Sequence, residues 1–111
     1  MCEFKVLLTP NRAEVARDIV NAYYENGNLI LIDILGAKTS LDNTIIETIS
    51  VDKEELVVMK NPLIGPVLNF IRRYIECMHN KKYDRDLDLL WNYIKKRGDE
   101  LLNDLRNVCQ K

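Results

Sequence analysis

The segment Asn61-Pro62-Leu63-Ile64-Gly65-Pro66 constrains the fold more than any other part of this 111-residue chain. Two prolines and a glycine in six residues end a sheet, and Pro66 suits the first turn of a helix. Upstream, the apolar pattern has the short period of strands. Phe4-Lys5-Val6-Leu7-Leu8 reads as a strand ending at the turn Thr9-Pro10-Asn11. A second strand is expected from about Arg17 to Glu25, with Ala13 to Asp18 open to a helical turn instead. Asn26-Gly27 supplies the positive φ of a type I′ hairpin turn. Leu29 to Leu35 is almost continuously apolar, as in a strand buried on both faces, and Gly36 breaks it. Thr44 to Ile49 and Glu55 to Met59 read as a second hairpin across Val51-Asp52-Lys53-Glu54. About five short antiparallel strands in residues 1–60 predict a small, partly open β-barrel.

Downstream of the 61–66 linker the period changes. Val67, Ile71, Tyr74 and Met78, flanked by Leu68 and Ile75, recur at helical spacing. Asn80 to Asp84 reads as a turn, with Asp84 or Asp86 as the N-cap of a second helix. There Leu87, Trp91, Ile94, Leu101, Leu105 and Val108 form an a/d stripe in which Gly98 takes one d slot. A glycine inside a helix costs about 1 kcal/mol against alanine, so Gly98 is expected to mark a kink or a close crossing. The fold class is therefore α+β, a small barrel followed by a C-terminal α-helical hairpin over residues 67–111. The stripe is expected to pack on the barrel or on a second subunit, or to form a groove for a partner helix. A barrel of about 60 residues buries only about 60% of its surface, which favours docking of the halves or a homodimer. A homodimer is the expectation.

The residue inventory excludes most self-contained chemistry. With one histidine, His79, and two serines, Ser40 and Ser50, a nucleophile–base–carboxylate apparatus is not expected. The four glycines are scattered, so no phosphate-cradling loop can be built. An enzyme is not expected. Cys2, Cys77 and Cys109 are too far apart for a CxxC motif, and their odd number argues against a disulfide framework. Cys77 and Cys109 fall in helical patterns and read as small packing residues. No apolar run reaches the roughly 18 residues of a membrane span. The opening residues lack a basic segment followed by an apolar one, so the expected compartment is the cytoplasm.

Lys and Arg number 16 and Asp and Glu 17, but the charge is uneven, net −4 over residues 1–60 and +3 over 61–111. The excess basic residues cluster at Arg72-Arg73, Lys81-Lys82 and Lys95-Lys96-Arg97. Such clusters usually form solvated helix faces. They are also the residues an RNA-binding module would use to neutralise phosphates, with Tyr23 or Tyr24 stacking a base.

Met1-Cys2-Glu3-Phe4-Lys5-Val6-Leu7-Leu8 resembles the start of the CooT-like family of small prokaryotic proteins. The similarity continues through Asp18-Ile19-Val20, Gly27, the Leu29-to-Leu35 strand, Gly36, Ile49-Ser50-Val51-Asp52 and Leu56-Val57-Val58, and ends near residue 60. The resemblance implies an SH3-like β-barrel that dimerises. It further implies a nickel-binding accessory protein of a carbon monoxide dehydrogenase, with the cysteine after Met1 as metal ligand. Archaeal relatives in that family are often labelled predicted RNA-binding proteins. The helical extension, residues 61–111, departs from the minimal family member.

The chemistry of Cys2 fits that implication. Its thiolate, its own backbone nitrogen once deprotonated, and an amine on Met1 would occupy three positions of one plane, and nitrogen-rich planar sites suit Ni²⁺ or Cu²⁺. One chain cannot complete the set; two Cys2 residues across a two-fold axis can. The leading expectation is thus a cytoplasmic Ni²⁺-binding accessory protein, its metal held by Cys2 and Met1 at a homodimer interface and passed to a metalloenzyme recipient. An RNA-binding module using Arg72, Arg73, Lys81, Lys82, Lys95, Lys96, Arg97, Tyr23 and Tyr24 is the alternative. A structural adaptor that docks through its helical hairpin is a third reading.

Overall fold

A computed structural model describes residues 3–110. The elements run β1 (Phe4–Leu8), β2 (Ala13–Glu25), β3 (Asn28–Asp33), β4 (Lys38–Asp42), β5 (Thr44–Ser50), β6 (Glu55–Lys60), α1 (Ile64–Asn80) and α2 (Asp86–Cys109). The protein is α+β, with two compact units, Met1–Gly65 and Pro66–Lys111.

The first unit is one mixed sheet of six strands in the order β4-β3-β2-β1-β6-β5. This corrects the expectation of about five antiparallel strands in two respects. β1 pairs with β6 in parallel, Lys5 opposite Glu55 through Leu8 opposite Val58, while the other ladders are antiparallel. The sixth strand is β4, whose residues Lys38-Thr39-Ser40-Leu41-Asp42 are exposed apart from half-buried Leu41. It lies at the sheet edge and has almost no apolar residues to alternate, so periodicity does not reveal it.

β2 spans 13 residues and extends through Ala13 to Asp18, the stretch whose sequence also allows a helical turn. Its first half pairs with β1 and its second half with β3, both ladders meeting at Ile19. Asp18, at φ 59°, and the register breaks beside it re-aim the strand between its two partners. Asn26 and Gly27, at φ 52° and 80°, make the left-handed pair that a type I′ turn needs between β2 and β3.

The sheet cannot be flat. β4 and β5 are its two edges, yet only Asn43 separates Asp42 from Thr44. Six flat strands would hold their edges about 24 Å apart, whereas a two-residue step spans at most about 7 Å. The sheet therefore rolls until its edges meet at Asn43. The side chains enclosed by the roll are the core: Val6, Ile19, Leu29, Leu31, Leu56 and Val58, with Phe4, Leu8, Tyr24, Leu41 and Ile46 packed around them. Across the roll, the Tyr24 hydroxyl on β2 accepts a 2.8 Å hydrogen bond from the Ile46 amide on β5, beside the β5 bulge. Buried Thr44 turns its hydroxyl to the Asp42 carbonyl at 2.8 Å.

Asn43 adopts the left-handed conformation at φ 51°, which asparagine tolerates better than other β-carbon residues. Its carbonyl accepts the Asn61 amide at 3.0 Å and its Oδ1 accepts the Gly65 amide at 2.9 Å. The corner thus satisfies one of the otherwise unpaired amides at the start of α1. α1 begins at Ile64, within the Pro/Gly segment, and Pro66 lies in its first turn where the missing N–H costs nothing.

In the second unit, the Phe70 and Trp91 rings lie 5.4 Å apart between α1 and α2. The α2 N-cap position falls on Arg85, which makes no side-chain capping bond. Asp84 instead accepts the Asp86 amide at 2.9 Å from one residue further out. α2 continues unbroken through Gly98, and a β-carbon there would meet nothing within 4 Å. Gly98 therefore marks no close crossing in this unit.

Candidate functional site

Cys2 and Met1, the expected metal ligands, lie outside the described residues. The backbone just after them is well anchored. The Glu3 amide donates to Glu54 Oε2 at 3.2 Å and the Lys5 amide to the Glu54 carbonyl at 2.9 Å. Glu54 sits at φ 52° at the end of the β5–β6 turn, so that turn grips the entry to β1. Among the described residues, no three His, Cys, Asp or Glu side chains lie together as a metal-binding group. Cys77 is half-buried, Cys109 is exposed, and His79 occupies the last turn of α1.

Of the basic residues expected to meet phosphate, Arg73 and Lys82 line one pocket together with Arg85, but Glu76 and Asp84 line it as well. Arg73 donates to Asp84 at 2.6 Å and reaches Asp86 at 3.4 Å. Two influences hold the Asp84 carboxyl below the usual aspartate range, first the Asp86 amide and then the Arg73 guanidinium, and the same pairing raises Arg73. Arg97 faces Glu100 at 3.3 Å. Arg72 on α1 and Lys95 and Lys96 on α2 are exposed. Successive helix positions are 100° apart, so Lys95-Lys96-Arg97 fan around α2 rather than forming a stripe. Tyr24 packs on the core of the sheet unit with its hydroxyl engaged, which removes it as a stacking platform. Its half-buried neighbour Tyr23 pairs with Ile30 on β3.

The helical unit holds a groove of about 670 Å³ lined chiefly by Phe70, Tyr74, Cys77, Met78, Leu87 and Trp91. Lys81 and Lys82 also line it, so two of the expected phosphate contacts border an apolar groove. Asp88 and Tyr83 meet there too, the tyrosine hydroxyl donating at 2.5 Å and its own proton held more tightly by that carboxylate. The helical stripes contain most of these residues, but the groove itself is not legible in them. Phe70 and Cys77 lie beside the periodic positions, and only the Phe70–Trp91 contact places them on one surface.

Among the described residues no helix is long and apolar enough to cross a membrane. No family model matches this chain, and no curated protein matches it.

Proposed function

We propose that this protein is a small, non-catalytic, cytoplasmic accessory protein that binds nickel through the Cys2 thiolate, with a second copy completing the donor set. The reading rests on one observation: Met1-Cys2-Glu3 leads directly into β1, an inner strand of the rolled sheet, as the resemblance of residues 1–60 to the CooT-like family implies. A six-stranded roll whose edges meet at Asn43 is compatible with the SH3-like barrel expected of that family. The donors in this reading are the Cys2 thiolate and the nitrogens beside it, a soft and nitrogen-rich set suited to Ni²⁺. A metalloenzyme would be the recipient. RNA binding has less support, because Arg73 and Arg97 already face carboxylates and Tyr24 belongs to the core.

The test is a Ni²⁺ titration of the reduced protein, followed by near-ultraviolet thiolate-to-metal absorption, beside the Cys2→Ser variant. The reading expects saturation at about one metal per pair of chains, loss of the band in Cys2→Ser, and affinity that falls steeply below neutral pH as donors take up protons. Binding that survives Cys2→Ser, or affinity independent of pH, overturns it.

A further inference from the structure

The groove between α1 and α2 has the make-up of a small-molecule site. Its volume of about 670 Å³ falls within the roughly 300–1,000 Å³ of ligand pockets, and its wall is apolar and aromatic with a few polar groups gathered at one end. Every lining residue belongs to the helical unit, so the cavity is complete within that unit. Phe70 and Trp91, in contact with each other, stand at one end. Lys81, Lys82 and Tyr83 stand at the other, in the turn that follows α1. α1 rises about 15 Å between Phe70 and Asn80, and Tyr74, Cys77 and Met78 line the groove along that length.

We propose that this groove binds one molecule of a free, single-chain anionic amphiphile, a fatty carboxylate by class, with its chain against Tyr74, Met78 and Trp91 and its carboxylate at Lys81 and Lys82. Charge identifies the head group. The polar end carries two lysines against one carboxylate, Asp88, and the Tyr83 hydroxyl already donates to that carboxylate at 2.5 Å. Among the described residues neither lysine is ion-paired with a carboxylate, so their ammonium groups keep their donors for a ligand. The adjoining polar pocket shares Cys77, Lys82 and Tyr83 and sets Arg73 and Arg85 against Glu76 and Asp84, which leaves that balance unchanged. A cationic head would be repelled by the lysines, and a neutral one would leave them unused. The wall identifies the tail, because Met78 is a flexible side chain that adapts to a flexible apolar partner. Binding involves neither Cys2 nor metal, so it stands apart from the nickel reading.

The test is a titration of the full chain, reduced and with chelator present, with dodecanoate, dodecanol and dodecyltrimethylammonium, each below its micelle concentration. Trp91, the sole tryptophan, lines the groove, so its emission should move to shorter wavelength as the chain of the ligand covers it. The expected result is saturation at one dodecanoate per protein chain, retained in Cys2→Ser, with both other heads about tenfold weaker or more, the size of a lost charge-assisted hydrogen bond. The double variant Lys81→Gln, Lys82→Gln should abolish that preference without changing the affinity for dodecanol. Met78→Glu, at an exposed helix position, should weaken dodecanoate and dodecanol alike with far-ultraviolet circular dichroism unchanged; if it misfolds, the lysine variant and the comparison of heads decide. Anionic phospholipid vesicles free of carboxylate should leave the emission where it is. Absence of saturable binding overturns the proposal and leaves the groove to a protein surface. Equal affinity for the three heads, indifference to the lysine variant, or a shift with vesicles alone overturns it too.

Discussion

The Asn43 corner is the point at which the two edge strands of the sheet meet, and its energetics can be tested atom by atom. In Asn43→Ala the corner loses a residue tolerant of φ 51° and the Oδ1 acceptor of the Gly65 amide. A left-handed alanine costs about 1–2 kcal/mol, and the lost hydrogen bond about 1 kcal/mol. The sum, about 2–3 kcal/mol, should lower Tm by roughly 8–12 °C for a domain of this size. Asn43→Gly keeps the backbone conformation and loses only the acceptor, so it should be about 1 kcal/mol less damaging than alanine. Gly65 supplies the decisive second arm. A β-carbon there would lie 2.8 Å from Asn43 Oδ1, so Gly65→Ala should destabilise the unaltered protein by about 1–3 kcal/mol through overpacking. In the Asn43→Gly background that obstacle is gone, and alanine should stabilise the first turn of α1 by up to about 1 kcal/mol. Urea unfolding of the four proteins closes the cycle. Costs that simply add, within about 0.5 kcal/mol, would refute the contact and with it the corner's role in starting α1.

Three further outcomes are expected from the same geometry. Leu29→Ala should cost about 2–5 kcal/mol, because Leu29 is fully buried among the strands; a cost below about 1 kcal/mol in chemical denaturation would mean that the enclosed side chains are not the main core. Tyr24→Phe should cost about 1–2 kcal/mol by leaving the Ile46 amide without its acceptor, with faster hydrogen exchange at Ile46; unchanged exchange there would exclude the cross-roll bond. The Asp84 carboxyl is held below its ordinary range by the Asp86 amide and by Arg73. A lowered folded pKa means stability that is full above the ordinary aspartate pKa and lost as pH falls through the lowered value. Asp84→Asn should therefore flatten the acid side of the helical unit's pH–stability curve, and a curve identical to that of the unaltered protein would refute the assignment.

The elements that can be read from the sequence are those whose environment is recorded in their own residues. β3 is buried on both faces and shows it as the run Leu29-Ile30-Leu31-Ile32, while Asn26-Gly27 announces the left-handed turn that enters it. β4 and the parallel β1–β6 ladder depend on non-local geometry. An edge strand with one half-buried leucine carries no alternation, and the partner of β1 is decided by the rolling of the whole sheet rather than by residues near it. Asp18 is similar: its left-handed turn inside β2 suits an aspartate but does not require one, so the sequence of this 13-residue strand reads as a shorter strand whose preceding residues are open to a helical turn.

The same distinction separates the two functional readings. Cys2 is proposed as a ligand because residues 1–60 resemble the CooT-like family, and a thiol beside backbone nitrogens has chemistry that fits that implication. The helical face is legible only in the folded unit. A stripe such as Val67, Ile71, Tyr74 and Met78 is what any packed helix displays, and its ordinary fate is burial. Within the helical unit by itself Ile71, Tyr74 and Met78 are exposed beside Trp91, although α1 and α2 are already in contact through Phe70.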